Sequence, residues 1–231
     1  MKSQPHRIIP FIVLLLTMVL MTADSQAILT PAQYFAKVSE KFSQIQDYQA
    51  QIRIAMEEHE LEWSGSLIYK KPDKLRIDYE EPAEQVLVYD GETLIFYRPE
   101  YSTVFEQQIS GQSSGTTALL PSGQELSLLR QNYSVAYLIG PEPAPLDEES
   151  EEMVVWLKFR ANTTAEGFRE LEIAIGEDGF YRRVLAKALN QTWEIDFTKV
   201  ILNPGIPDQR FFYKYPANAN VYPDFLFEDS G

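Results

Sequence analysis

Residues 69–99 read YKKPDKLRIDYEEPAEQVLVYDGETLIFYRP, and this stretch decides the fold. Apolar and polar side chains alternate in three runs, at Leu75, Ile77 and Tyr79, over 85–89 and over 93–97, and a period of two marks half-buried strands. Lys71-Pro72, Glu81-Pro82 and Asp90-Gly91 punctuate the runs. Proline interrupts strand pairing, and Asp-Gly suits a tight two-residue hairpin. A meander of antiparallel strands is the local expectation.

The same period extends outward from this stretch. Upstream, Ile52, Ile54 and Met56 share a face, as do Leu61, Trp63, Leu67 and Tyr69. Downstream, strands are expected over 103–109, 135–139, 153–159, 169–175, 181–189 and 192–201, with Asp178-Gly179 as a second tight turn. Two segments break the pattern. Thr30 and Pro31 form an N-cap and N1 pair ahead of Tyr34, Phe35, Val38, Phe42 and Ile45 at helical spacing, which predicts a helix over 31–46. After a polar loop at 110–115, residues 116–130 carry Leu119, Leu120, Leu126, Leu128 and Leu129 around Pro121 and Gly123, and read as one or two short apolar helices. The acidic stretch 141–152 reads as an exposed loop.

The fold class is mainly β with α: about 10–11 strands in a strongly curved antiparallel sheet, an unclosed β-barrel covered by helices. Helices over such a sheet have two possible roles. They form a lid over an apolar cup, or they plug the sheet and complete an ordinary core.

At the N-terminus, Lys2 and Arg7 precede an apolar run over 8–21, and Ser25-Gln26-Ala27 offers small residues to a signal peptidase. The run falls short of the roughly 20 residues that span a bilayer comfortably. Residues 1–27 therefore read as a signal peptide cleaved after Ala27, leaving one domain over 28–231 in a periplasm or its equivalent. No cysteine occurs, which excludes a lipid-modified N-terminal Cys and disulfides.

Lys and Arg number 20 against 34 Asp and Glu, a formal charge of −14, and the leader takes away only Lys2, Arg7 and Asp24. This balance argues against nucleic acid and anionic lipid surfaces as partners, and favours solubility or a basic protein partner. The inventory also argues against an enzyme. His59 is the only histidine after the leader and lies in Glu57-Glu58-His59-Glu60, which reads as a turn between strands. No Gly-rich phosphate loop is present, and no catalytic residue, metal site or cofactor is expected.

The runs GSLIYKKPDKLRIDYEEP from Gly65 and EQVLVYDGETLIFYRPE from Glu84 resemble the LolA-type outer-membrane lipoprotein carrier family. The opening helix with Tyr34 and Phe35, the helical insertion and the Gly176-Glu-Asp-Gly179 turn fall in the same order. The resemblance implies a non-enzymatic periplasmic chaperone. Such a carrier takes lipoproteins from an inner-membrane ABC transporter, holds their acyl chains in an apolar cavity and passes them to an outer-membrane acceptor. It acts as a monomer in this reading. The alternatives are a carrier of another envelope lipid and a lipoprotein-binding envelope-stress sensor of the same fold.

Lys71 falls where the family commonly has Arg before the proline, a position tied to lid tethering and cargo handling, with Arg76 nearby. Lysine keeps the charge but lacks the five-donor fork of arginine. Leu75, Ile77 and Tyr79 match the family's apolar strand after that proline and are candidate cavity residues. Trp63, Leu67, Phe96, Trp156 and Trp193 join them by alternation alone. Leu119, Leu120, Leu126 and Leu129 are the lid candidates. Core packing is the competing role for each of these apolar residues.

Overall fold

Thr30 starts the opening helix, α1 (Pro31–Ser43), through a reciprocal cap. Its hydroxyl accepts from the Gln33 N–H, and its own N–H donates to the Gln33 side chain at 2.9 Å. The computed structural model describes residues 28–56, 61–109, 123–164 and 166–223. The leader, the 57–60 run with His59, and Leu119 and Leu120 lie outside them. The helix ends at Ser43, short of the expected residue 46, because the Gln46 N–H is captured by the Asn203 side chain at 2.7 Å. The chain turns there into the sheet.

The described strands are β1 (Asp47–Met56), β2 (Leu61–Lys70), β3 (Lys74–Glu81), β4 (Val86–Tyr89), β5 (Thr93–Arg98), β6 (Thr103–Gln108), β7 (Tyr133–Tyr137), β8 (Ala144–Pro145), β9 (Met153–Ala161), β10 (Glu170–Gly176), β11 (Tyr181–Lys187), β12 (Thr192–Leu202) and β13 (Asn220–Pro223). A second helix, α2 (Gly123–Asn132), precedes β7. All thirteen strands join one sheet in the order β13-β6-β5-β4-β3-β2-β1-β12-β11-β10-β9-β7, with β8 also on β9. The two ends of this order do not pair, so the barrel is unclosed. Two strands exceed the sequence expectation: β8 is too short for a periodic signal, and β13 runs parallel to β6 where antiparallel pairing alone was expected. The hairpin between β4 and β5 also sits one residue later than expected. Its loop is Gly91-Glu92, with Gly91 at φ 104° and the Asp90 carboxylate accepting from the Glu92 and Thr93 N–H groups.

Curvature arises where pairing is irregular. A register shift between Gln49 and Gln51 accompanies Lys199 in a left-handed conformation at φ 49°, and further shifts occur at Ser64/Gly65 and Ala174/Ile175. Bulges of this kind bend a strand and increase its twist. At Gly65 a Cβ would stand 2.4 Å from the Asp78 carbonyl oxygen, so only glycine allows this approach of β2 to β3.

The sheet's inner face carries both helices. Phe35, Val38 and Phe42 of α1 and Leu126 and Leu129 of α2 pack with Tyr48, Leu67, Leu75, Ile77, Phe159, Ile173, Phe180 and Phe197 in one core. Two chain segments cover parts of the outer face. The 141–152 stretch brings Leu146 onto Val154, Trp156 and Ala174, so this expected exposed loop also buries a small apolar cluster. Residues 203–219 form a strap across the sheet. The buried Asp47 carboxylate accepts from Gly205 N at 3.0 Å and Ile206 N at 2.9 Å, and Lys70 donates to the Ile206 carbonyl. Farther along, Arg76 donates to the Arg210 carbonyl and the Tyr215 hydroxyl donates to Glu106. The strap ends in β13.

Candidate functional site

Opposed residues build a continuous apolar row across seven strands: Ala50, Leu67, Ile77, Leu87, Phe96, Phe105 and Tyr222. Its first half lies in the core beneath the helices. In its second half Leu87, Phe96 and Phe105 are only partly buried and Tyr222 is exposed, because the described part of α1 and α2 packs elsewhere on the sheet. Here the inner face opens into a pocket of about 580 Å³ lined by Ile54, Leu61, Trp63, Tyr79, Pro82, Leu87, Phe96 and Trp193, with Glu62, Gln85 and Arg98 as its polar members. Trp63 and Trp193 stack at 6.3 Å across β1, while Tyr79 meets Phe96 edge-on at 6.4 Å. Rigid aromatic walls give large apolar contact at low entropic cost and impose little directional demand.

Tyr79, Gln85 and Arg98 share one end of this pocket. Tyr79 N–H donates to the Gln85 carbonyl at 2.9 Å, and Arg98 follows Tyr97, the partner of Val86, so Tyr79, Gln85 and Arg98 occupy neighbouring positions on β3, the start of β4 and β5. Burial pushes the Tyr79 phenol up to about 12, keeping it a neutral hydrogen-bonding group. Glu62 is paired with Arg53 at 3.0 Å. Arg98 lies 4.6 Å from the Tyr101 ring and makes no ion pair among the described residues.

The structure thus gathers Trp63, Tyr79, Phe96 and Trp193 around one pocket. It places Leu67, Leu75 and Ile77 elsewhere: they are 0%, 4% and 4% exposed, in the core cluster that also holds residues of α1 and α2. Trp156 points to the outer face with Val154 and Ala174, since it alternates out of phase with Leu157 and Phe159. Leu126 and Leu129 are buried on the inner face in α2. Lys71 ties α1 rather than α2. Its ammonium donates to the Ser43 carbonyl at 2.7 Å, at the helix C-terminus where a cation is favoured, and partial burial lowers its pKa. Arg76 lies on the outer face, bonded to Asp78 at 2.7 and 2.8 Å and to the strap. Ile54, Gln85, Leu87 and Arg98 were not singled out by sequence. Ile54 and Leu87 carried the alternation signal, whereas Gln85 and Arg98 look like ordinary polar strand ends. Among the described residues, no cluster of three or more His, Cys, Asp or Glu side chains is placed to hold a metal.

An unclosed, helix-bearing β-barrel with an apolar pocket on its inner face defines the class of protein. The family model "Outer membrane lipoprotein carrier protein LolA" matches residues 35–214, and the chain belongs to that family. The outer-membrane lipoprotein carrier protein of Bordetella avium (strain 197N) is 26% identical over 160 residues, covering 68% of this chain and 70% of the relative. Among solved structures, an uncharacterized conserved protein from Thermus thermophilus superposes with a TM-score of 0.54 at 13% identity, covering 83% of this chain and 98% of the other. The Pseudomonas aeruginosa MucA/MucB complex contains a chain that matches with a TM-score of 0.50 at 13% identity, covering 80% of this chain and 61% of that one. Both structures show a shared fold.

Proposed function

We propose that this protein is a periplasmic carrier that shelters lipoprotein acyl chains in the inner-face pocket while they pass from the inner to the outer membrane. The observation that carries this reading is the coincidence, in a LolA-family chain, of an open inner face and an aromatic-walled pocket of about 580 Å³. Each exposed methylene costs about 0.8 kcal/mol in water, so a long acyl chain does not cross an aqueous compartment unaided. Burial without directional bonds lets a modest difference in affinity move the chain onward. An inner-membrane ABC transporter as donor and an outer-membrane acceptor complete the route, and the carrier itself performs no catalysis.

Residues 28–231 act as one domain behind a cleaved leader in this reading. One sheet recruiting strands from Asp47 to Pro223 supports it, and no helix among the described residues is long and apolar enough to cross a membrane. In the second reading, a lipoprotein-binding stress sensor, the pocket would be the same and the partner different. The fold shared with the MucA/MucB complex is its support.

The test is native mass spectrometry with lipid extraction on protein purified from the cell envelope, comparing wild type with Trp63→Glu. Trp63 is a suitable probe because it is half-buried at the pocket rather than locked in the core. Acylated polypeptide should accompany the wild type and fall at least about tenfold in the variant, in keeping with burial of a charge on an apolar wall. A wild type that emerges empty after expression with lipoprotein substrates refutes the proposal.

A further inference from the structure

Gln85 is 5% exposed and lines the pocket, yet its carboxamide has no hydrogen-bond partner among the described residues. Its polar atoms therefore reach the open space of the pocket, where a ligand can meet them. The neighbouring Tyr79 hydroxyl and Arg98 guanidinium also make no hydrogen bond among the described residues. Three donors of different kinds therefore converge at one end of an aromatic pocket.

Charge points in the same direction. The chain as a whole carries −14, but the acid that lines this pocket, Glu62, is engaged by Arg53, which also pairs with Glu194 and Asp196. Arg98 is the lining cation, and it has no carboxylate partner among the described residues. The nearby Glu80 and Glu81 at the end of β3 and Glu84 on the turn to β4 are exposed and are not among the lining residues. A half-buried guanidinium beside apolar walls attracts an anion more strongly than the same group in open water.

Volume limits the apolar part of the ligand. At roughly 30 Å³ per methylene-sized group, the room a water molecule takes in the liquid, a pocket of about 580 Å³ has room for one long aliphatic chain.

We propose that, beyond acylated protein cargo, this pocket binds free single-chain anionic amphiphiles, a fatty carboxylate or a lysophospholipid. The chain lies along Trp63, Leu87, Phe96 and Trp193, and the anionic oxygens accept from Arg98, Gln85 and the Tyr79 hydroxyl. The proposal rests on the acyl-binding reading and adds recognition of the polar end. In that arrangement Gln85 and Arg98 decide which amphiphiles are held, and the aromatic wall decides how tightly.

Isothermal titration and native mass spectrometry test it, with palmitate, 1-palmitoyl-lysophosphatidylglycerol and the uncharged monopalmitoylglycerol as probes. Wild type should bind one molecule of an anionic probe at least about tenfold more tightly than the neutral one, the size of a charge-assisted hydrogen bond. In Arg98→Gln that preference should collapse to within about threefold while the neutral affinity holds, and Gln85→Leu should reduce it partway. Far-UV circular dichroism and a thermal melt confirm that each variant is folded, and the ratio between probes within one variant is independent of its stability. Preference for palmitate alone identifies a carboxylate ligand, and preference for the lysophospholipid alone identifies a phosphate one. Equal affinities in the wild type, an unchanged preference in Arg98→Gln, or several chains bound at once overturn the proposal. Binding of a triacylated lipopeptide without either anionic probe overturns it and leaves the carrier reading standing, whereas no binding of any acyl probe overturns both.

Discussion

Replacing Phe42 with alanine distinguishes a helix that plugs the sheet from one that lifts off it. Phe42 is 0% exposed, and its ring stands 5.9 Å from Phe180 and 6.4 Å from Tyr48. Burial of a phenyl ring contributes about 1.5–3 kcal/mol by transfer, and a cavity of roughly 80 Å³ left behind adds about 2 kcal/mol at 24 cal/mol per Å³. The helix has little freedom to collapse into that cavity. Lys41 holds the Glu177 carbonyl at 2.9 Å, Lys71 holds the Ser43 carbonyl, and the Tyr137 hydroxyl holds the Leu29 carbonyl just before the helix begins. Phe42→Ala should therefore cost about 3–5 kcal/mol, read as a lower urea midpoint with an unchanged slope. Trp63→Ala, on the open pocket wall, should cost only about 1 kcal/mol. A loss below about 1 kcal/mol for Phe42→Ala would show that α1 spends much of its time off the sheet, and would return the core beneath it to the candidate cargo space.

Other perturbations follow from the same contacts. Glu170 is held at about 2, chiefly by its hydrogen bond from Lys158 and then that from Lys187, against an ordinary value of 4.5. A carboxyl lowered in the folded state contributes stability that is fully present above 4.5 and is lost as pH falls toward 2. Solvent screening reduces its contribution to about 1 kcal/mol, so urea midpoints at pH 7 and pH 2.5 should differ by more in wild type than in Glu170→Gln, and equal differences would remove the ion pair from the account. Asp47→Ala leaves the Gly205 and Ile206 N–H groups without their acceptor, which should cost about 2–4 kcal/mol and speed hydrogen exchange across 203–213; unchanged exchange there would mean the strap is anchored elsewhere. Lys71→Met removes a charged donor from the α1 C-terminus and should lower the melting temperature by about 2–4 °C, whereas Lys71→Arg should hold it; a neutral Lys71→Met would show that the tie contributes nothing.

Alternation and turn chemistry are local, and they determined the strand class of this chain, the β2–β6 meander, the capped opening helix and the resemblance to the carrier family. What alternation leaves open is which face of a strand looks inward and whether that face is already filled. Leu75, Ile77 and Tyr79 share one face of β3, yet Leu75 and Ile77 lie in the filled core while Tyr79 reaches the open pocket, because the helices pack on one part of the sheet only. Trp156 shows the other ambiguity, since a strand with apolar residues on both faces gives no sign of which one is inner. The strap that Arg76 holds was invisible for a related reason: 203–219 has almost no regular structure, and its place comes from Asp47, Lys70 and Glu106, distant in sequence. Gln85 and Arg98 acquire meaning only when tertiary packing buries one and leaves the other without an ion-pair partner beside the same apolar wall. Local periodicity fixed which residues could be inside, while long-range packing decided how much of that inside remained open.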